Sequence, residues 1–324
     1  MSNSETTLWV VTYHYVRDLP RTRFPKIRGR LVTEFEQQVN WLSQRCEMAT
    51  LQSALGFLAG DYEPNRDLCL LTFDDGLKDH YLNVLPILAP RRIQGLFFIS
   101  TVCLEEHRVL PVHKNHFLMA ELEFSKYRSA FLDHLATLSD ETSSVIDVEK
   151  AKQAYPWDSA DVAVFKFFLN YRISEHLRVQ VLEALFEKFL GDESKFAREL
   201  YLSWAEAREM QRQGMVLGGH SKNHVALSSL DADGQKTDLT ACAEVLRERT
   251  APQALWPFCY PYGHSYSYNE TTIQTLRSLG FVCSFTTQPG AILPGADLFT
   301  LRRVDTNDIL TMIEAKQVAA ISAV

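Results

Sequence analysis

Seven short apolar runs punctuate the chain: Leu8–Tyr15, Leu68–Phe73, Gly95–Ser100, Met215–Gly219, Trp256–Tyr260, Phe281–Thr287 and Phe299–Val304. Their length and their β-branched and aromatic content predict buried strands. Segments of helical period lie between most of them. Thr33–Arg45 puts Phe35, Val39 and Leu42 on one face, with Thr33 and Glu36 at the spacing of a capping box. Ser203–Gln213 repeats that signal with Ser203 and Glu206, and Asn269–Leu279 stops at Gly280. Strands alternating with helices predict an α/β fold with a parallel sheet, open or closed into a barrel. From about 102 to 198 the alternation lapses into helical, aromatic-rich sequence, including Phe165–Tyr171. The expectation is one domain over 1–324 carrying a helical insertion, because runs on both sides are needed to complete the sheet. The insertion's aromatics read as helix packing.

Charge and composition narrow the partners. A net charge of −7 and a pI near 5.8 argue against nucleic acid or an anionic membrane surface. No stretch approaches the ~20 apolar residues of a transmembrane helix. Met1–Thr7 lacks the basic start and apolar core of a secretion signal, so a cytoplasmic location is expected. The cysteines (46, 69, 103, 242, 259 and 283) are scattered without a C-x-x-C pair and read as small core side chains.

Chemistry gathers where the apolar runs stop. Leu70-Leu71-Thr72-Phe73 ends in Asp74-Asp75-Gly76, and Met215-Val216-Leu217 leads into Gly219-His220-Ser221-Lys222-Asn223-His224. Two carboxylates at the end of a buried strand are costly unless they bind a metal or move protons. A carboxylate with two histidines makes a three-ligand site with an open position, the arrangement of metal-assisted hydrolysis. Parallel sheets carry such sites at the carboxyl ends of their strands.

With these residues in place the sequence resembles the polysaccharide deacetylase family, the NodB-homology or carbohydrate esterase family 4 group. T-F-D-D-G stands as Thr72–Gly76, H-S/T-x-x-H as His220–His224, and part of a third motif as Tyr260-Pro261-Tyr262-Gly263. The resemblance implies a distorted (β/α)7 barrel and a metal-dependent deacetylase acting on an acetylated sugar, oligosaccharide or glycan precursor. It implies Asp75, His220 and His224 as ligands of a divalent metal, with zinc favoured by the mixed nitrogen and oxygen donors. It implies Asp74 as general base and the backbone N–H of Tyr262 as oxyanion donor, with Pro261, Gly263 and His264 beside the substrate. Ser221 reads as a loop-orienting hydroxyl.

Two departures from the family pattern shift the remaining roles. Where the family often has an arginine before the P-Y pair, this chain has Cys259-Tyr260; Arg303, favoured over Arg302, is the substitute that would orient Asp74. No histidine follows Val304, so the leaving-group acid is assigned to His14, in Tyr13-His14-Tyr15 near the start, as in branches of the family with a Y-H motif. His113 and His116 open the insertion, and substrate-facing polarity is preferred over a second metal site. The competing functions are a deformylase or amidohydrolase using the same metal site, and a catalytically dead carbohydrate-binding barrel.

Overall fold

The computed structural model describes residues 6–139, 146–155 and 158–322. They divide into two compact units. The first gathers the described residues up to Asp18, then Arg28–His107, and those from Ala197 onward; the second is Leu19–Ile27 with Arg108–Phe196.

The first unit is built on a curled, all-parallel sheet. Its strands are β1 (Leu8–Tyr13), β2 (Glu47–Met48), β3 (Leu68–Phe73), β4 (Gly95–Ile99), β5 (Val216–Gly219), β6 (Pro257–Cys259), β7 (Cys283–Phe285) and β8 (Val304–Asp305). The main path runs β7-β6-β5-β4-β3-β1-β8, with β2 paired to the first two residues of β3. All of β1, β3 and β4 is buried, as expected when helices cover a parallel sheet. Side chains alternate across the sheet. Leu8, Val10, Leu68, Leu70, Leu96, Phe98 and Cys259 belong to one buried cluster on the inner face. On the outer face Tyr13, Phe73 and Phe97, aligned by strand register, stack in a row with centroid separations of 5.1 and 4.6 Å. Phe35 of helix Val32–Arg45 meets this row edge-on.

The inner series explains where chemistry emerges. On β1 it runs Leu8, Val10, Thr12 and then His14; on β3 it runs Leu68, Leu70, Thr72 and then Asp74. The step past each strand's end replaces an apolar or hydroxyl side chain by an ionisable one.

Three sequence expectations are adjusted. The run Phe299–Val304 forms little strand: Leu301 bridges Phe285 of β7, whereas Val304 pairs with Val11 of β1. One segment thus touches both ends of the sheet and has no long ladder of its own. Strand β2 escaped the pattern because two residues carry no period. Helix Val32–Arg45 begins a residue before Thr33, and the carboxylate that caps it is Glu34, accepting from the backbone N–H of Leu31 at 3.2 Å, not Glu36. The Ser203–Glu206 box is present, and Asn269 caps helix Glu270–Ser278 ahead of Gly280 at φ +77°.

The second unit is helical. Its segments include Pro111–Glu121, Phe124–Leu138, Val148–Ala154, Ala160–Tyr171 and Glu175–Leu190, and the described residues between Ile99 and Tyr201 hold no strand. Phe24, Phe117, Phe186 and Phe196 interlock edge to face, as do Tyr127, Phe131 and Phe165. The buried ammonium of Lys114 is paired with Glu193 at 3.0 Å and Glu183 at 3.5 Å, which is the condition for burying a charge.

Candidate active site

Asp74 and Asp75 follow directly on the end of β3, and both carboxylates lie near His220. Asp74, almost fully buried, continues the inner series, and its backbone N–H donates to the carbonyl of Tyr13 at 3.0 Å. Its two oxygens each accept from one nitrogen of the Arg303 guanidinium at 2.7 Å. Arg303 is itself buried, donating through Nε to the Thr286 carbonyl (2.9 Å) and through Nη1 to Thr72 Oγ1 (3.2 Å). Burial alone would raise the pKa of Asp74. The charge and hydrogen bonds of Arg303, helped by His220 and His14, outweigh it and hold Asp74 at about 2. It is therefore a carboxylate at neutral pH. Of the two arginines the sequence offered, Arg303 lies against Asp74 and Arg302 is exposed.

Asp75 turns back through φ +74°, and its Oδ1 lies 3.4 Å from His220 Nε2 and 3.3 Å from His224 Nε2. The ligand atoms of these three buried residues lie within 4.8 Å of one another. His220 follows β5, with its backbone N–H bonded to the Ile99 carbonyl, and its Nδ1 meets the Cys259 carbonyl at 2.7 Å. A carbonyl only accepts, so Nδ1 carries a proton and Nε2 is the nitrogen turned to the cluster, the orienting contact expected behind a metal-binding histidine. Burial lowers the pKa of His220, yet Cys259, Asp75 and Asp74 together raise it above the ordinary value. The surroundings favour a cation.

Asp74, His220 and Cys259 form a second cluster of donor atoms. It fits a metal less well. Burial keeps the Cys259 thiol protonated, and it donates weakly to Asp74 Oδ2 at 3.7 Å. A thiolate is what a metal requires. The Asp75, His220 and His224 set therefore fits a divalent ion, and its hard carboxylate with two imidazoles suits zinc without excluding other ions.

The loop between the histidines is bent and clamped. Ser221 and His224 have φ of +59° and +53°. Ser221 Oγ accepts from the His224 N–H at 2.8 Å, which gives the hydroxyl its loop-orienting place. The buried carboxylate of Asp238 accepts from the backbone N–H groups of Lys222 (2.8 Å) and Asn223 (3.1 Å) and from the Asn223 side chain (2.9 Å). Sequence reasoning did not find Asp238. Its one trace is an acid on the face of helix Ala232–Arg249 that also buries Leu239, Cys242 and Leu246.

Four of the six described non-glycine residues with positive φ are Asp75, Ser221, His224 and Tyr262. Each such residue costs about 1 to 3 kcal/mol, and such strain clusters at functional sites. Tyr262, at φ +63°, places its ring 5.2 Å from that of His224. Pro261 before it is buried. Gly263 after it shares the positive φ and sits so near Thr287 that a Cβ would meet its backbone nitrogen at 2.7 Å. His14 Nε2 lies 3.8 Å from Asp74 Oδ2 with its side chain 49% exposed. His264 is exposed and stacks on Tyr266 at 5.1 Å. His113 and His116 lie in the second unit, 6.1 Å apart by ring centroid, and enter no group of potential metal ligands among the described residues.

The chain is similar to known polysaccharide deacetylases in part of its sequence and in its fold. The family model for polysaccharide deacetylase matches residues 158–284, which include His220, His224 and Tyr260–Gly263 but not Thr72–Gly76. "Putative polysaccharide deacetylase YxkH" of Bacillus subtilis (strain 168) is 27% identical over 104 residues, 32% of this chain. The match spans 36% of that relative's length. Among solved structures, the Streptococcus pyogenes deacetylase PplD in complex with acetate aligns over 96% of this chain and 99% of its own, with TM-score 0.58 and 14% identity. IcaB from Ammonifex degensii aligns over 96% and 97%, with TM-score 0.57 and 21% identity. The deacetylase domain of BpsB from Bordetella bronchiseptica aligns over 92% and 95%, with TM-score 0.53 and 20% identity. At these identities the structural likeness establishes a shared fold, the curled parallel sheet of the NodB type. No helix among the described residues is long and apolar enough to cross a membrane.

Proposed function

We propose, for a chain that resembles the polysaccharide deacetylases in sequence and in fold, that it is a metal-dependent hydrolase removing the acetyl group from an acetylated sugar, oligosaccharide or glycan precursor. One observation carries the reading. A carboxylate locked ionised by a buried arginine stands beside a separate carboxylate-and-two-histidine cluster, both at the carboxyl edge of one sheet.

Asp75, His220 and His224 would hold the divalent ion, which supplies Lewis-acid polarisation of the acyl oxygen and a more acidic water. The other roles belong to the chain's own groups. Asp74, ionised and fixed at both oxygens, accepts the proton that the attacking water loses. Arg303 keeps both Asp74 oxygens aligned, and with Thr72 it excludes water from behind the base. The Tyr262 N–H donates to the oxyanion of the tetrahedral state. His14, half exposed at the rim, hands a proton to the leaving nitrogen as the carbon–nitrogen bond breaks. Acetate and a free amine are the products. Pro261 and Gly263 shape the wall beside the acetyl group, and exposed His264 meets the distal part of the sugar.

The test is acetate release from N-acetylglucosamine oligomers and acetylated nucleotide sugars, with the zinc-loaded wild type beside Asp74→Asn. Release by wild type, reduced about 100-fold or more in Asp74→Asn at equal metal content, is expected. Equal activity of the two proteins would overturn the assignment of the base. Formate release from N-formyl substrates in preference to acetate would move the reading to a deformylase.

A further inference from the structure

The structure assigns a positioning role to the π-helical turn that follows the two aspartates: His80, with Asp79 and Asn83, fixes the backbone of the His14 loop so that His14 stays beside Asp74. This inference rests on the proposed use of His14 as proton donor.

His14 lies past the end of β1, where the ladder no longer holds it. Its side chain is half exposed, and its nearest contact with Asp74, at 3.8 Å, is longer than a hydrogen bond. Its position is therefore set by its backbone. The Tyr13 carbonyl is bound by Asp74 N–H and the Tyr15 carbonyl by Arg30 N–H. The carbonyl of His14 between them is bound by His80 Nε2 at 3.0 Å. The same turn holds the next residues as well. Asp79 Oδ2 accepts from the Val16 N–H (3.1 Å) and from Arg17 Nε (2.7 Å), and Asn83 donates to the Val16 carbonyl (2.7 Å). Four hydrogen bonds thus join three side chains of one short segment to residues 14–17.

Two observations single out His80. The His80–Val84 turn is a π-helix, a rare form that occurs mostly as single turns and is frequent at functional sites. His80 is fully buried on the aromatic row, with ring centroids 5.5 Å from both Phe73 and Phe97, a setting where leucine or phenylalanine would pack as well. Its Nδ1 is buried without a hydrogen-bond partner among the described residues. Such an unsatisfied atom counts against the fold. Burial holds its pKa near 4, so the ring is neutral. Only the tautomer with the proton on Nε2 can donate to the His14 carbonyl. Packing alone gains nothing from that nitrogen; the bond to His14 does. Asp79 and His80 follow Asp74 by five and six residues, so one stretch of chain supplies the base and the hold on the acid.

The experiment compares His80→Leu, His80→Gln, His14→Ala and His14→Ala/His80→Leu in the zinc-loaded full chain. Two probes separate the steps: an N-acetylglucosamine pentamer, whose amine needs a proton to leave, and p-nitrophenyl acetate, whose phenolate does not. Bound zinc and melting temperature are recorded for each protein. The expected result is a fall in kcat of about 10- to 100-fold on the amide for His80→Leu. KM should stay constant and the ester rate should stay within about 2-fold of wild type. His80→Gln, which keeps a donor at similar reach, should recover most of the rate, and the double variant should be no slower than His14→Ala. Equal losses on amide and ester in His80→Leu would show a merely structural role and overturn the inference. Full amide activity in His80→Leu, with His14→Ala impaired, would overturn it while leaving the His14 assignment standing. Full amide activity in His14→Ala would overturn that assignment and this inference with it.

Discussion

Replacing Arg303 by methionine, which keeps the bulk and removes the charge, strands a buried carboxylate. In the wild type the pKa of Asp74 is depressed from 3.8 to about 2. At about 1.4 kcal/mol per unit, this contributes roughly 2 kcal/mol of stability at neutral pH. That contribution is present above the ordinary carboxylate pKa and is lost as the pH falls toward 2. In Arg303→Met the sign reverses. Burial, the largest influence on Asp74, then acts with little opposition, and the pKa rises above its ordinary value. Removing one partner of a buried pair typically costs about 3 to 5 kcal/mol. Urea unfolding in a chelator, so that metal binding does not enter, should show Arg303→Met less stable by about that amount at pH 7. The deficit should shrink as the pH drops toward 4, where the stranded Asp74 takes up a proton. Arg303→Lys should fall between, because an ammonium keeps the charge but not the two-pronged contact or the bond to Thr286. A deficit below about 1 kcal/mol, or one independent of pH, would refute the claim that Arg303 keeps Asp74 ionised.

Other perturbations separate the parts of the site. Asp238→Ala should leave the sheet folded but loosen the turn before His224, weakening zinc affinity by about 10- to 100-fold in a competitive chelator titration. Unchanged affinity would remove Asp238 from the site. Gly218→Ala should destabilise the chain by at least about 1 to 3 kcal/mol in a urea melt, since its Cβ would lie 2.6 Å from both the Phe98 ring and the Pro257 carbonyl. A neutral result would show that the inner core yields there.

Much of the site was legible in the sequence because strand ends reveal themselves. An apolar run that stops on a carboxylate or histidine marks both an element boundary and a costly group, which is why Asp74, Asp75, His220 and His224 stood out. Arg303 was legible only through an absence, since Cys259 occupies the place where the family's arginine often stands, and a buried carboxylate still needs a counter-charge. The rest depends on contacts distant in sequence that leave no local pattern. Asp238 is one acid in a charged helix until the fold brings it under the Lys222–Asn223 backbone. His80 is one histidine after a motif until the π-turn aims its ring at the His14 carbonyl. The last strand was misjudged because the segment Phe299–Val304 is apolar for two reasons at once, its Leu301 serving β7 and its Val304 serving β1.

Bound metal per chain tests the central claim most directly. Zinc should bind the purified wild type at about one equivalent per chain and should be lost in Asp75→Ala, His220→Ala and His224→Ala, each still folded by circular dichroism, while Asp74→Asn keeps it. Zinc retained in those three variants, or a folded wild type that takes up none when reconstituted, would contradict the account.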